Sequence, residues 1–321
     1  MQALERARGA LYGLAIGDAL GMPAQMLSRA EVVARWGPLL PGFEAAPPGH
    51  PIADGMPAGS VTDDTEQAVL LGRLLVRGHG EIDPREWADA LAGWEKEMAA
   101  RGSLDLLGPS TKRALLAVQA GTPPQEAGRH GDTNGAAMRI TPVGIAFPGR
   151  AEVLDHVRQA SVVTHNTPVA MAGAAAVAAA VSAGINGTDL PAAIDAAISA
   201  AGGHDGGVAA RIAWAVAQAR NRTRQGVADF ITGRVGTSLA TTESVPAAFA
   251  VLSAVPDDPW RACLLAASLG GDADTIAAMA GAVSGACHGL HAFPRHAIST
   301  VDAHGLGLTD LADALYALRR P

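Results

Sequence analysis

Aromatic side chains supply only 4% of the 321 residues, too few to fill the core of a β-sandwich or an aromatic-lined barrel. Cysteine is almost missing: Cys263 and Cys287 lie in alanine-rich segments without C-x-x-C spacing. That pattern indicates neither a zinc ribbon nor a disulfide framework, and a reducing cytoplasm is the expected compartment. There is no basic surplus. The formal net charge is −7 without long acidic blocks, which favours solubility and argues against sequence-specific nucleic-acid binding. Sustained alternation of β-branched and polar residues is absent, as is any internal repeat at a period of about 20 to 50 residues, so βαβ units and solenoids are both disfavoured.

What remains is alanine, glycine and helical periodicity. Hydrophobic residues make up 49% of the chain, and apolar spacing predicts helices over 3–16, 64–77, 84–100, 110–119, 150–161, 168–184, 190–201, 206–220, 245–254, 258–268, 274–289 and 308–319. The expected fold is all-α, a many-helix orthogonal bundle forming a single domain over 1–321. Residues 168–185 are long enough to span a bilayer. Their alanine and glycine content and the lack of an aromatic belt point to a buried core helix, so no membrane association is expected. The N-terminal run is basic and then apolar, but Glu5 and Asp18 interrupt it, and it reads as a helix of the domain.

Two Pro/Gly-rich connections stand out, residues 37–60 and the segment carrying Asp132 and Asn134. A structureless stretch as long as the first is usually a lid, a binding loop or a disordered segment. It leads into TDDT at 62–65, just ahead of an apolar run, and GGDADT at 270–275 repeats the pattern. Asp63 with Glu66 has the spacing of a capping box, and carboxylates favour helix N-termini. The same set of Thr62, Asp63, Asp64, Asp272, Asp274 and Thr275 is also one of hard oxygen ligands, suited to two Mg²⁺ or Mn²⁺ ions. If the two helix starts meet, four carboxylates crowd together, and cations would make that tolerable. Asp18, in an apolar setting, is expected to pair with Arg139 in preference to acting in catalysis. His165 precedes the alanine-rich helix at 168, where Thr164 to Thr167 could cap it or the imidazole could donate to a ligand.

The order GDALG, TDDT, GDTNGAAMR, TH, ESVPAA, GGDADT between about residues 8 and 290 resembles the ADP-ribosylglycohydrolase family. The resemblance implies an all-α fold with two Mg²⁺ or Mn²⁺ ions, one held by Thr62, Asp63 and Asp64 and the other by Asp272, Asp274 and Thr275. It further implies that Asp132, Thr133, Asn134, Gly135 and His165 contact ribose or diphosphate, with Glu243 and Ser244 in a loop near the site. Asp64 or Asp272 would take the proton of the attacking water. The implied substrate is an ADP-ribosylated protein or a small ribosylated molecule, with release of ADP-ribose. Members that hydrolyse ADP-ribosyl bonds usually carry a glutamate where this chain has Gln25, and an amide cannot act as a carboxylate base. A hydrolase of a smaller N-riboside, and a non-catalytic ADP-ribose-binding or structural protein, are the alternatives. A binuclear phosphoesterase fits less well, because neither acidic motif contains histidine.

Overall fold

Alanine-rich periodicity becomes helix along nearly the whole chain in the computed structural model, which describes residues 1–103 and 107–319. The α-helices are α1 (Gln2–Gly21), α2 (Arg29–Trp36), α3 (Asp63–Arg77), α4 (Pro84–Ala100), α5 (Pro109–Gln119), α6 (Pro124–Ala127), α7 (Gly135–Met138), α8 (Thr141–Ala146) and α9 (Arg150–Ser161). They continue as α10 (Pro168–Ile185), α11 (Leu190–Gly202), α12 (Gly206–Ala219), α13 (Arg224–Phe230), α14 (Thr241–Ala254), α15 (Pro259–Ala267), α16 (Ala273–His288), α17 (Arg295–Asp302) and α18 (Leu308–Leu318). Among the described residues there is no β-strand, only an isolated bridge between Thr133 and Ala240. The all-α reading holds.

Helix α10, long and apolar enough to cross a membrane, is mostly buried inside the protein. It packs on α11, α8, α9 and α16 as a core helix. Helix α1 runs to Gly21, beyond the expected end at 16, because Asp18 is satisfied in the interior and does not break it. The D-x-x-E pattern at Asp63 is not a capping box. Thr62 is the N-cap, its Oγ1 accepting from the Asp64 N–H at 3.4 Å, and Glu66 instead accepts from Trp94 Nε1. A complete capping box forms at Ser28 and Glu31 and starts α2, a helix missing from the periodicity reading.

The most extensive helix pairing in the fold is between α1 and α16. Gly9, Gly13, Gly17 and Gly21 follow one another at i, i+4 and so form a single ridge without side chains. Opposite them lie Gly285, Gly281, Ala277 and the backbone of Asp274. A Cβ on Gly13 would sit 2.1 Å from the Gly281 carbonyl oxygen, and one on Gly21 2.3 Å from Asp274 Cα. The ridge therefore ends where α16 begins, which delivers the DADT motif to the C-terminal end of α1.

Candidate functional site

The two acidic helix mouths do meet. Thr275 Oγ1, in the first turn of α16, donates to Asp64 Oδ2 in the first turn of α3 at 3.1 Å. Gly271, with φ +68°, turns the chain into α16; its N–H donates to the Leu27 carbonyl, and its own carbonyl accepts from the Met26 N–H. A side chain there would strike the Thr237 carbonyl at 2.3 Å. Across the gap, Asn134 N–H donates to the Leu239 carbonyl, and the Asn134 side-chain amide donates to Asp272 Oδ2 and to Ser244 Oγ. Between these groups lies a cavity of about 210 Å³. Asp63, Asp272, Asp274 and Thr275 line one part of it and Thr133, Asn134 and Gly135 another, with Gln25 and Ile52 also exposed to it. Met26 and Leu239 carry its apolar rim, both exposed to solvent.

Burial raises the Asp64 carboxyl well above its ordinary range, and the charges of Asp274, Asp63, Asp18 and Asp272 push it further the same way. Asp272 is also raised by burial, against the hydrogen bond from Asn134. Four carboxylates thus act on the buried Asp64. Asp64 Oδ1 is buried and has no hydrogen-bond partner, an arrangement that costs about 1–3 kcal/mol for a polar group left alone. Hard oxygen donors in excess, one with no proton to accept, fit a divalent cation in chemistry. Among the described residues, no three carboxylate, imidazole or thiolate groups converge closely enough to form a ready cation cage.

Asp18 does not pair with Arg139. It is fully buried and accepts from Thr62 N–H at 2.9 Å, Thr62 Oγ1 at 2.7 Å, Thr65 N–H at 3.2 Å and Thr65 Oγ1. Burial lifts its pKa to about 6 in spite of those four donors. Arg139 lies elsewhere in the core, its guanidinium 5.3 Å from the Trp87 ring centroid. It donates to Gln67 Oε1 at 2.8 Å and to Thr164 Oγ1. Gln67 in turn donates to Asp63 Oδ2 at 2.8 Å. The arginine reaches the acidic cluster through an amide, while Asp18 is held by the backbone and hydroxyls of Thr62 and Thr65.

His165 is likewise buried under the cavity and does not line it. Burial, then the charges of Arg139 and Arg113, hold its pKa well below the usual value, so the ring is neutral. Thr164 Oγ1 accepts from Arg139 and so donates to His165 Nδ1 at 2.8 Å, which leaves His165 Nε2–H to donate to Thr133 Oγ1 at 3.0 Å. The helix beside it is capped by Thr167, whose hydroxyl accepts from Ala170 N–H.

Of the residues singled out in the sequence, Gln25, Asp63, Asp272, Asp274, Thr275, Thr133, Asn134 and Gly135 line the cavity. Thr62, Asp64, His165 and Ser244 are buried around it; Asp64, His165 and Ser244 hold the lining residues Thr275, Thr133 and Asn134, and Thr62 is bonded to Asp18 and Asp64. Asp132 is exposed, and it is its carbonyl that serves, accepting from Thr241 Oγ1 at 2.8 Å. Glu243 accepts from Ser238 N–H and stays outside the cavity. Thr65, Gln67, Met26, Ile52 and Leu239 were not singled out as site residues. Thr65 closes the TDDT motif itself, whereas only the fold brings Met26 and Leu239 together.

The family model described as ADP-ribosylglycohydrolase matches residues 1–321. The chain is 36% identical to uncharacterized protein YegU of Escherichia coli (strain K12) over 93% of this chain and 92% of that one. It is 26% identical to the ADP-ribosyl-[dinitrogen reductase] glycohydrolase of Rhodospirillum rubrum, over 93% and 90% of the two chains. A solved structure titled ADP-ribosylglycohydrolase-related protein complex superposes over 99% of both chains with a TM-score of 0.71 and 25% identity. The chain belongs to the ADP-ribosylglycohydrolase family.

Proposed function

We propose that this member of the ADP-ribosylglycohydrolase family is a divalent-cation-dependent hydrolase that cleaves the glycosidic bond of an ADP-ribosylated substrate and releases ADP-ribose. The observation that carries the reading is the meeting of TDDT and DADT at one cavity, with Asp64 Oδ1 buried and unpartnered between them. Thr62, Asp63 and Asp64 would hold one Mg²⁺ or Mn²⁺ ion, and Asp272, Asp274 and Thr275 a second. Such ions supply charge that orients sugar hydroxyls and makes water a better nucleophile.

The chain's own groups do the remainder. Asp272 lines the cavity and is the better placed of the two candidate bases to take the proton of the attacking water; Asp64 lies beneath it. Asn134, fixed by Ser244, orients the Asp272 carboxylate. Thr133, with His165 donating to its oxygen, is free to donate its own proton into the cavity. Cleavage at the anomeric carbon passes through an oxocarbenium-like state, which the neighbouring carboxylates stabilise by their charge.

A second reading, hydrolysis of a smaller N-riboside, is favoured by two observations. The enclosed volume of about 210 Å³ lies below the roughly 300–1,000 Å³ of ordinary small-molecule sites. Gln25, in place of the family's usual glutamate, has a buried amide nitrogen without a partner at this cavity. The test is chromatographic detection of the sugar product from Mn²⁺-loaded protein given ADP-ribosyl-arginine and a panel of nucleosides, with and without chelator. ADP-ribose that chelator abolishes supports the first reading, free ribose from nucleosides alone supports the second, and no product from either refutes both.

A further inference from the structure

Counting hydroxyl protons around TDDT assigns Asp18 a role that its distance from the cavity conceals. Thr62 Oγ1 has a single proton and two carboxylate oxygens within reach, Asp18 Oδ1 at 2.7 Å and Asp64 Oδ2 at 3.4 Å. The shorter contact takes it. One lone pair of the same hydroxyl accepts from Asp64 N–H at 3.4 Å. What Thr62 Oγ1 presents toward Asp64 is then its remaining lone pair, so two acceptors face each other with no proton between them.

Asp18 can hold the proton there because nothing else competes for its lone pairs in a way that could reverse the bond. Three donors, the N–H of Thr62 and the N–H and hydroxyl of Thr65, converge on its Oδ2, which leaves Oδ1 to the Thr62 hydroxyl alone. It sits on α1 three residues before Gly21, the last residue of the close-packed ridge, so its place relative to α3 is fixed by the fold. We propose that Asp18 is a positioning residue for the cation site, drawing the Thr62 hydroxyl proton to itself so that Thr62 Oγ1 and Asp64 turn bare oxygen lone pairs toward a divalent cation. The inference rests on the cation reading given above. It concerns an outer partner that orients a ligand, the kind of group whose loss typically weakens metal affinity about 10–100-fold.

Asparagine at position 18 would reverse the polarity. Its NH₂ would donate to a threonine oxygen, and the Thr62 proton would swing toward Asp64 Oδ2, where it competes with the cation. Isothermal titration of the full chain with Mn²⁺ alone would compare the parent, Asp18→Asn, Thr62→Val and the double variant, with far-UV circular dichroism checking the fold. The expected result is an affinity loss of about 10–100-fold for Asp18→Asn, and no further loss when Asp18→Asn is added to Thr62→Val. A purely structural Asp18 would weaken binding by the same factor in both backgrounds, and that additive result would overturn the proposal, as would unchanged affinity in Asp18→Asn. If the parent binds no Mn²⁺, it is the cation reading itself that fails. Should Asp18→Asn not fold, neutron diffraction of the parent decides: the Thr62 proton on the Asp18 side supports the assignment and a proton on the Asp64 side refutes it.

Discussion

Replacing Gly17 by alanine tests whether the small-residue ridge sets the architecture. The new Cβ would lie 2.0 Å from the Ala277 carbonyl oxygen and 2.4 Å from its carbonyl carbon. Both are backbone atoms of α16, so no side-chain rotation relieves them, and the helices must part by more than 1 Å to restore ordinary contact. Overpacking of this kind typically costs about 1–3 kcal/mol, occasionally more. Alanine returns about 1 kcal/mol of helix propensity. Because the obstacle is backbone, the upper part of the overpacking range applies, and a net loss of about 2 kcal/mol is expected. Gly93, in the interior of α4, is the matched control: a Cβ there meets nothing within 4 Å. Gly93→Ala should therefore stabilise by about 0.5–1 kcal/mol. Thermal unfolding followed by circular dichroism should place the two variants on opposite sides of the parent, about 6 °C apart at roughly 2 °C per kcal/mol for a chain of this size. Gly17→Ala melting with the parent or above it would refute the ridge argument.

Asp274→Asn should abolish chelator-sensitive activity and Mn²⁺ binding while the far-UV spectrum stays that of the parent; stoichiometric Mn²⁺ in the variant would sink the proposed ligand set. The stability of chelator-treated protein should fall as pH rises from about 4 to about 6. In that window the folded state holds protons on carboxyls whose pKa burial has raised, Asp18 to about 6 and Asp64 and Asp272 upward, while the unfolded chain has already released them. Asp18 alone accounts for a loss on the order of 3 kcal/mol across it. Saturating Mn²⁺ should flatten that slope, and a melting temperature that rises with pH in chelator would contradict the assignment. Gln25→Glu adds a carboxylate at the cavity and should raise the rate on ADP-ribosyl-arginine relative to nucleosides; an unchanged ratio would show that position 25 does not set substrate preference.

The parts of this protein legible in its sequence are those written in local spacing. Helices announced themselves by apolar period, α10 as a core helix by its alanine content, and the two acidic motifs by carboxylates at two helix starts. The partners of buried charges were not legible, since Asp18 and Arg139 each had several candidates and only the crossing of α1 with α3 chooses among them. Sequence proximity also misled at Asp63 and Glu66, where a capping spacing is present but Thr62 takes the cap and Trp94 takes the glutamate. His165 stands beside its helix as expected, yet its ring turns inward because Thr164 and Arg139 offer it a buried hydrogen-bond line to Thr133. The i, i+4 run Gly9, Gly13, Gly17, Gly21 was readable and is the signal that would have placed α1 against another small-faced helix.

That ridge explains how the acidic start of α16 is held against the end of α1, beside the acidic start of α3. Four carboxylates at two helix mouths repel one another, and helix N-termini offset only about 0.3–1 kcal/mol of that for each exposed carboxylate. Something rigid must hold them together before any ligand arrives. Long side chains could not, because their rotamers would yield to the repulsion. A backbone-to-backbone seam has no rotamers to yield. With Gly21 pressed against Asp274 and Asp18 tied to the backbone and hydroxyls of Thr62 and Thr65, both acidic motifs are referred to one rigid helix, α1. The distance between the motifs is then a property of the core, and a substitution buried in the seam such as Gly17→Ala should be felt at the carboxylates even though it touches none of them.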